Sequence, residues 1–500
     1  MLQTLKNAWK TKDIKSKIIF TLFILVLYRI GTVIPVPFVE ANNFAYSFSG
    51  TILDQMNILS GNALGTATLF ALGVSPYINA SIIIQLLGVV FPKLGELAKN
   101  DKDKMNFITR IVTVVLAIVT AIGYYFMLKN AGSLSHAALP DHNGMAWFYG
   151  IAIVACYVAG ASVIMWLAER INERGIGNGI SMILFANIVS SLPSLVINLG
   201  KLVVRTYGYS STAKDYIEEG LEYNKAAWGY GVVATLFAII MLAILVALTI
   251  FVIYITGSER RVPVQYAKRV VGRKMYGGQS SNIPLKLNMT GVMPIIFASS
   301  IVSLIPTILT LCGVSSSTEG GWGVFYRIIG SEGVVYPVCL FLFIIGFAYF
   351  YTQITFDPME VANNLKKQGG AIPGIRQGKP TADYIRKILN KVTIVGALFL
   401  GVIAVLPVIS GPHLINPLVQ WMIDGDPNSV WAAANIANYS DFTSYYYAYI
   451  IQQNNANFIS SITSSFTFGG TSLLIVVGVA IETYRELEAQ LTMRNYKGFL

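Results

Sequence analysis

The sequence of 500 residues is poor in charge. Only 12% of the residues are Asp, Glu, Lys or Arg, whereas 54% are hydrophobic and the mean hydropathy is +0.59. Soluble proteins carry about 25% charged residues, because water must solvate their surfaces. The shortage excludes a soluble enzyme, a disordered protein and a disulfide scaffold, and it indicates a chain that lies in a lipid bilayer.

Cysteine and histidine are also scarce, with three of each. Cys156, Cys312 and Cys339 lie in or beside apolar stretches, and their spacing fits neither a metal site nor a redox pair. We interpret them as small packing residues. The histidines lie in polar connecting segments. The sequence therefore predicts no metal and no cofactor.

Catalytic patterns are missing too. The sequence contains no HExxH zinc motif and no GxSxG nucleophile turn, and the glycine-rich run at 175–179 lacks the spacing and the preceding strand of a dinucleotide site. A hydrolase inside the membrane needs a nucleophile with its base, or a metal with its ligands. An intramembrane lipid enzyme is thus an alternative without a catalytic constellation, and we expect that the protein is not an enzyme.

The sequence is rich in long apolar segments. A helix needs about 20 mostly apolar residues to cross a bilayer. Ten segments qualify, at 18–34, 70–91, 107–128, 147–168, 179–199, 229–256, 289–312, 335–356, 392–410 and 467–483. An eleventh, at 57–69, is too short and too rich in Gly, Thr and Asn to span. We predict that it forms a half-helix that enters the membrane and stops.

Lys and Arg are divided unevenly between the two sides of the predicted membrane. The tails 1–17 and 484–500 and alternate loops hold 29 of them, the other loops hold 6, and the remaining one is Arg29. Loops rich in Lys and Arg stay in the cytoplasm, so both tails are predicted to be cytoplasmic. Five spans precede the external 200–228 loop and five follow it. Halves with an odd number of spans enter the membrane in opposite directions, which permits an inverted repeat.

The predicted spans contain few ionisable residues. Apart from Arg29 and residues at span ends such as Arg110 and Glu482, they have none. A coupled transporter normally needs charged groups in mid-membrane, so a secondary transporter for a small solute is an alternative that lacks its usual groups. Arg29 itself is predicted to be structural, snorkelling to the interface or forming a pair.

Uncharged polar residues are present inside the second span. Ser75, Asn79 and Gln85 lie there among aliphatic residues. Such groups are costly to expose to lipid, so they face a water-filled path or bond to a neighbouring helix. The sequence leaves both options open.

Two cytoplasmic loops, 257–288 and 357–391, contain seven Lys and Arg residues each. The first has alternating apolar residues and a Gly277-Gly278 pair, which predict a hairpin. Such organised basic protrusions predict docking of something anionic, such as ribosomal RNA or an acidic protein surface. A solvated face without a partner is the simpler alternative.

Five long stretches resemble the SecY family of protein-translocation channels and occur in the family's order. They are 70–85, 173–181, 279–288, 363–376 and 468–475. The resemblance implies an all-α polytopic membrane protein, with ten transmembrane helices in two inverted five-helix halves around a central hourglass pore. The halves correspond to 18–199 and 229–483, and a short re-entrant plug helix corresponds to about 57–69.

The resemblance also implies a ring of apolar side chains at the waist of the pore. Matched residue by residue, the ring consists of Val74, Ile78, Ile180, Leu184, Ile296 and Ile475. A lateral gate is implied where the second and third spans meet the seventh and eighth, and a hydrophobic signal sequence would pass through it into lipid. In that setting the seam of the gate includes Ser75, Asn79 and Gln85.

The family's function and partners follow from the resemblance as expectations. The chain would conduct unfolded preproteins, driven by the SecA ATPase or a docked ribosome, and would do no chemistry of its own. The residues that match the docking protrusions are Lys268, Arg269, Arg273, Lys274 and Arg376. Small membrane subunits of the SecE and SecG type, signal sequences and membrane lipid are the other implied partners, and the bacterial cytoplasmic membrane is the implied location.

The sequence departs from the family in two kinds of place. Phe38 stands where the family's Ile-Pro-x-Pro motif continues with Gly, which leaves the shape of that turn open. The external segment 411–465 is longer than typical, has no Lys or Arg, and contains three aspartates. We interpret it and the enlarged 200–228 loop either as solvated elaborations or as docking sites for an external partner.

Overall fold

The computed structural model is mostly α-helical. It describes residues 6, 8–40, 52–134, 146–206, 226–266, 269–271, 274–276, 280–314, 318, 320–330, 333, 335–424, 458–459, 462 and 469–497. The helices are α1 (Lys12–Gly31), α2 (Ile52–Leu59), α3 (Ser75–Val90), α4 (Pro92–Asn100), α5 (Lys102–Asn130), α6 (Ala146–Arg174), α7 (Gly179–Thr206), α8 (Ala226–Gly257), α9 (Met293–Leu311), α10 (Gly321–Ile329), α11 (Val335–Thr355), α12 (Pro358–Lys367), α13 (Lys379–Ser410), α14 (Asn416–Asp424) and α15 (Gly469–Lys497). A π-helix, Gly411–Ile415, joins α13 to α14. The strands are β1 (Glu259–Tyr266), β2 (Arg269–Val271), β3 (Lys274–Tyr276), β4 (Ser280–Lys286) and β5 (Gly370–Ala371).

Each of the ten predicted spans overlaps one of these helices. In the described part of the chain, seven helices are long and apolar enough to cross a membrane, and α3 is a shorter apolar helix. Many Ile, Leu, Val and Phe side chains on their outer surfaces are exposed, above all along α8. Lipid tolerates such surfaces, and the helices satisfy their own backbone polar groups. The prediction of an all-helical polytopic membrane protein is confirmed.

The prediction of a half-helix over 57–69 is wrong in its position. The short helix α2 ends at Leu59, and turns and bends occupy 60–74 until α3 begins. Four residues of this segment have a left-handed backbone, namely Gly61 at φ +71°, Asn62 at +70°, Ala67 at +47° and Gly73 at +58°. Left-handed residues cannot continue a right-handed helix. They therefore end α2 early and delay the start of α3 beyond the predicted residue 70.

The first basic loop forms the predicted hairpin. Strand β1 pairs antiparallel with β4, with Val262 opposite Ile283, and the shorter hairpin of β2 and β3 lies between them in the sequence. Strand β5 of the second basic loop pairs with β1, with Gln265 opposite Ala371. The two basic loops therefore share one sheet of order β4-β1-β5. The Gly277-Gly278 pair lies outside the described residues.

Several predicted loops are partly helical. Helix α12 and the start of α13 lie within the basic loop 357–391, and α15 continues to Lys497 through most of the predicted tail. The segment 411–465, which is predicted to be external, begins with the π-helix and α14, and the predicted 200–228 loop overlaps the end of α7 and the start of α8. Ile459 and Ile462 pack with residues of α7, α8 and α14 in one buried cluster. The rest of both predicted loops lies outside the described residues.

Phe38 keeps a left-handed turn in spite of its side chain. Its φ is +67°, a region that glycine enters easily and other residues rarely adopt. The Phe38 ring packs on Tyr149, with ring centroids 4.7 Å apart. This aromatic contact offsets part of the cost of the strained backbone.

The largest buried cluster lies where the two halves meet. The first half contributes residues of α1, α3, α6 and α7, and the second half contributes residues of α8, α9, α11, α13 and α15. The helices of both halves therefore pack around one shared apolar centre, and the candidate site lies in that centre.

Candidate functional site

All six aliphatic residues predicted for the ring lie in this one buried cluster. Their exposed fractions range from 2% to 8%. They come from the residue before α3 and from α3, α7, α9 and α15, namely Val74, Ile78, Ile180, Leu184, Ile296 and Ile475. The structure thus brings together residues that are up to 401 positions apart in the sequence.

Local sequence positions the ring residues on α3 and α7. The N–H of Ile78 donates to the carbonyl oxygen of Val74 at 3.0 Å, so the two side chains share one helix face. At the start of α7, the Asn178 side-chain oxygen accepts from the N–H of Ile180 at 3.0 Å. Gly179 is needed between them, because a β-carbon there would lie 2.0 Å from a backbone carbonyl oxygen of α6.

The chemistry of the ring is apolar contact. Aliphatic side chains offer neither hydrogen bonds nor charge, so a narrow passage that they line loses its water and blocks ions. Because the six residues are at most 8% exposed, none of them lines a water-filled opening in this conformation. Among the described residues, no group of three or more His, Cys, Asp or Glu is arranged to hold a metal ion.

The turn segment 60–74 and the end of α2 lie against the buried cluster that contains the predicted ring residues. Leu59, at the end of α2, and Leu69 both pack on the cluster that contains the ring residues. Main-chain carbonyls in this part of the chain accept hydrogen bonds from side chains of α1, α5, α6 and α7. The segment is therefore held against the buried centre by both apolar and polar contacts.

A cavity of about 160 Å³ lies at the seam between the halves, between α3 and α5 on one side and α9 on the other. Two of the predicted gate residues, Ser75 and Asn79, line it. Facing polar residues that the sequence analysis did not single out are Thr120, Ser299, Ser300, Ser303 and Thr307. Three of these recur every four residues on α9, which places them on one helix face and was a detectable signal.

The third predicted gate residue, Gln85, does not line the cavity. It forms a separate hydrogen bond between the two halves. Its amide nitrogen donates to the hydroxyl of Ser81 at 3.0 Å, and its amide oxygen accepts a hydrogen bond from the hydroxyl of Tyr351 on α11. The Tyr351 ring packs on Phe297 of α9, with centroids 5.1 Å apart. No pattern in the sequence marked Tyr351, because its partner is 266 positions away.

The predicted docking residue Arg376 lies in the turn between β5 and α13, and it is exposed. The turn is held in shape by two hydrogen bonds. The Thr381 hydroxyl donates to the carbonyl oxygen of Arg376 at 2.7 Å, and the Gln377 amide donates to that of Gly370 at 3.2 Å. The arginine is thus presented on a structured turn.

Two of the other predicted docking residues, Arg269 and Lys274, lie on β2 and β3. Arg269 pairs with Tyr276 across the two strands, and Lys274 pairs with Val271. Lys268 and Arg273 lie outside the described residues. At the base of the same loop, burial and then the nearby positive charge of Arg485 lower the pKa of Lys286.

Similarity to known proteins identifies the family. A sequence model of the SecY family matches residues 68–422. The chain belongs to the SecY family. A protein translocase subunit SecY from Streptomyces galbus is 38% identical over 513 aligned positions that cover the whole of both chains. One from Mycobacterium bovis is 36% identical over 515 positions, again with full coverage of both chains.

Solved structures show the same fold. A structure of a protein-conducting channel superposes with a TM-score of 0.53 at 17% identity, over 95% of this chain and 92% of that one. A SecY structure in which the plug domain is described as stabilising the closed state and maintaining a membrane seal gives 0.52 at 16% identity, over 95% and 92%. A canine ribosome–channel complex from the endoplasmic reticulum gives 0.50 at 16%, over the same shares. The architecture is that of the SecY channels.

Proposed function

We propose that this SecY-family chain is the channel-forming subunit of a protein translocase in a bacterial cytoplasmic membrane. It passes unfolded secretory polypeptides across the membrane and releases hydrophobic segments into lipid. The observation that carries this proposal is the convergence of six aliphatic residues in one buried cluster between the two halves. Ile and Leu are common in every span, and the burial of all six in one cluster between the halves supports a waist there.

The ring serves as a seal that yields. Without a substrate, its aliphatic side chains pack on one another and exclude water and ions. An unfolded chain can displace them, because van der Waals contacts carry no sequence requirement and re-form around any side chain. We call α2 together with residues 60–67 the plug, and it covers the ring until a polypeptide enters.

The seam of α3 and α5 against α9 and α11 serves as the lateral gate. The few polar side chains that line the 160 Å³ cavity lower the cost of wetting the seam when it opens. A hydrophobic signal sequence that enters the seam exchanges water for lipid and apolar side chains, which gains about 0.8 kcal/mol per buried CH₂ group. Segments without that gain stay in the pore and cross the membrane.

The driving force comes from partners that dock on the basic loops. The exposed turn of Arg376 and the β2–β3 hairpin would meet acidic surfaces of a SecA-type ATPase or the phosphates of a ribosome. The joint sheet β4-β1-β5 connects these two surfaces, which suits a single docking platform. Small membrane subunits of the SecE and SecG type complete the assembly, and both tails of the chain face the cytoplasm.

Reconstitution tests this function. The purified chain with its small membrane subunits is placed in vesicles, and SecA, ATP and an unfolded preprotein are added outside. We expect that the preprotein becomes protected from external protease only in vesicles that contain the chain and only with ATP. Uptake of a small solute, or turnover of a lipid, without any protection of the preprotein would contradict the proposal.

A further inference from the structure

The plug is a braced unit. Asn57 on α2 accepts a hydrogen bond at its side-chain oxygen from the N–H of Gly65 at 2.8 Å, and the hydroxyl of Ser60 accepts one from the N–H of Leu64 at 3.1 Å. These bonds join the end of α2 to the turns that follow it. Residues 57–65 therefore move as one piece, and what holds that piece in place decides whether the channel stays closed.

Two buried tyrosines hold the turns of the plug that follow α2. Tyr124 of α5 donates to the carbonyl oxygen of Leu64, and Tyr157 of α6 donates to that of Ala67 at 3.3 Å. The tyrosines are 2% and 0% exposed, and their ring centroids are 5.0 Å apart. These groups anchor the plug to the first half of the protein.

The side chains of Asn187 and Arg29 hold the plug where α2 ends. Asn187 of α7 donates from Nδ2 to the carbonyl oxygen of Leu59 at 2.7 Å and to the hydroxyl of Tyr28 at 2.8 Å. Arg29 of α1 donates from Nη1 to the carbonyl oxygen of Gly61 at 3.5 Å and from Nη2 to a carbonyl of α7 at 3.2 Å. Both residues thus grip main-chain atoms where α2 ends.

The fit of this grip depends on Gly61. A β-carbon on Gly61 would lie 2.6 Å from Nη1 of Arg29 and 2.9 Å from the side-chain oxygen of Asn187. The left-handed backbone at this position, with φ +71°, is also one that glycine adopts without strain. The glycine lets both polar groups approach the backbone from the same side.

The grip is incomplete, which suits a contact that must be released. Asn187 is fully buried, and its Oδ1 accepts no hydrogen bond from any residue that the structure describes. The bond from Arg29 to Gly61 is near the upper limit of hydrogen-bond length. A buried acceptor without a donor costs free energy in the closed state, and the entry of water removes that cost.

We propose that Arg29 and Asn187 form a polar catch that holds the plug closed by its main chain. They are positioning residues for channel closure, and this inference rests on the proposed channel function. Because the catch binds carbonyl oxygens, changes of exposed plug side chains leave it intact. Loss of either catch residue increases the time that the plug spends away from the ring.

Cysteine accessibility measures that time. The three native cysteines are replaced and Ala63, which is 1% exposed inside the plug, is changed to Cys. The full chain with its membrane subunits is placed in vesicles, and a membrane-impermeant maleimide is added on the face that the plug would open toward. We expect Asn187→Ala and Arg29→Met each to raise the labelling rate roughly 5- to 150-fold, the range for the loss of one or two hydrogen bonds.

Two variants serve as matched controls. Ser191→Ala removes a hydroxyl that bonds within α7, to the carbonyl of Ile188 at 2.7 Å, and Thr66→Ala removes an exposed hydroxyl of the plug itself. Both should label at the reference rate. Thermal melting in detergent distinguishes a released plug, which leaves the melting temperature near the reference, from general unfolding, which lowers it.

The possible results distinguish a failure of the catch from a failure of the proposed channel function. If the reference chain translocates a preprotein while both catch variants label no faster than the controls, the catch is overturned and the channel function stands. Faster labelling that comes only with a lowered melting temperature also overturns it. If the reference chain fails to translocate with its partners present, the proposed channel function falls, and the catch falls with it.

Discussion

Tyr351 of α11 donates a hydrogen bond to the side-chain oxygen of Gln85 on α3, and this contact crosses the seam between the two halves. Gln85 is held in place by its own bond to Ser81, at 3.0 Å, one turn earlier on α3. Apolar contacts pack the described residues around the cavity at this seam, and Thr307 of α9 also donates to the sulfur of Met56 on α2 at 3.4 Å. The bond from Tyr351 joins the two walls of the proposed gate.

Removing this bond should make the gate easier to open. Tyr351→Phe deletes only the hydroxyl, and the loss of one hydrogen bond is worth about 1 kcal/mol, or roughly fivefold in the opening equilibrium. We expect more export of a preprotein whose signal sequence has been made less hydrophobic. Tyr349→Phe is the control, since Tyr349 is exposed on the same helix. Equal export by the two variants would show that the bond does not restrain the gate.

Filling the seam cavity should have the opposite effect. Asn79→Leu places methyl groups in a cavity of about 160 Å³, where they pack in the closed state and lose the hydration that an amide has in the open state. Crosslinking of a signal sequence to the seam should fall several-fold. Ile83→Leu changes an apolar residue of the same lining and should leave crosslinking unchanged. Normal crosslinking in Asn79→Leu would rule out a role for seam polarity.

If the basic loops form a docking platform, a charge reversal there should impair SecA-driven export and leave folding intact. Arg376→Glu reverses a charge on an exposed turn whose shape depends on main-chain atoms, so the fold and the melting temperature should be unchanged. SecA-driven export should be lost. Arg386→Glu also reverses an exposed charge on the same face of the membrane and should retain export. An Arg376→Glu variant that exports like Arg386→Glu would remove Arg376 from the docking site.

Alanine substitutions at two glycines of α7 should change the stability of the protein in opposite directions. A β-carbon at Gly179 would lie 2.0 Å from a carbonyl oxygen of α6, whereas one at Gly200, in the same helix, would meet nothing within 4 Å. Gly179→Ala should therefore destabilise the protein by about 1–3 kcal/mol or more. Gly200→Ala should stabilise it by roughly 0.5–1 kcal/mol, because alanine favours a helix. Thermal melting in detergent measures both, and similar shifts would show that the α6–α7 contact is not tight.

The sequence predicted what hydrophobicity and charge determine locally. The spans follow from runs of apolar residues, and the hairpin of the first basic loop follows from alternation, so both appear in the structure. The ring residues could be named only through family resemblance, because nothing in their chemistry distinguishes them from other aliphatic residues of the spans.

Contacts between distant parts of the chain could not be predicted. The end of α2 is decided at Gly61, whose left-handed backbone receives Arg29 of α1 and lies beside Asn187 of α7. A lone arginine in a span is expected to snorkel or to form a pair, and the structure gives Arg29 carbonyl partners. Asn187 and Tyr351 were not singled out at all, since their partners lie more than 100 positions away.

The six aliphatic side chains should seal the passage even around a substrate. The ion current through vesicles or a planar bilayer tests this seal while a preprotein is stalled in the channel, because the plug is then displaced. We predict a low current for the reference chain and a several-fold higher current for Ile78→Ser with Ile296→Ser, since serine hydroxyls let water into the waist. Ile239→Ser, on the exposed face of α8, should match the reference. A current in the ring variant as low as in the reference would contradict the account.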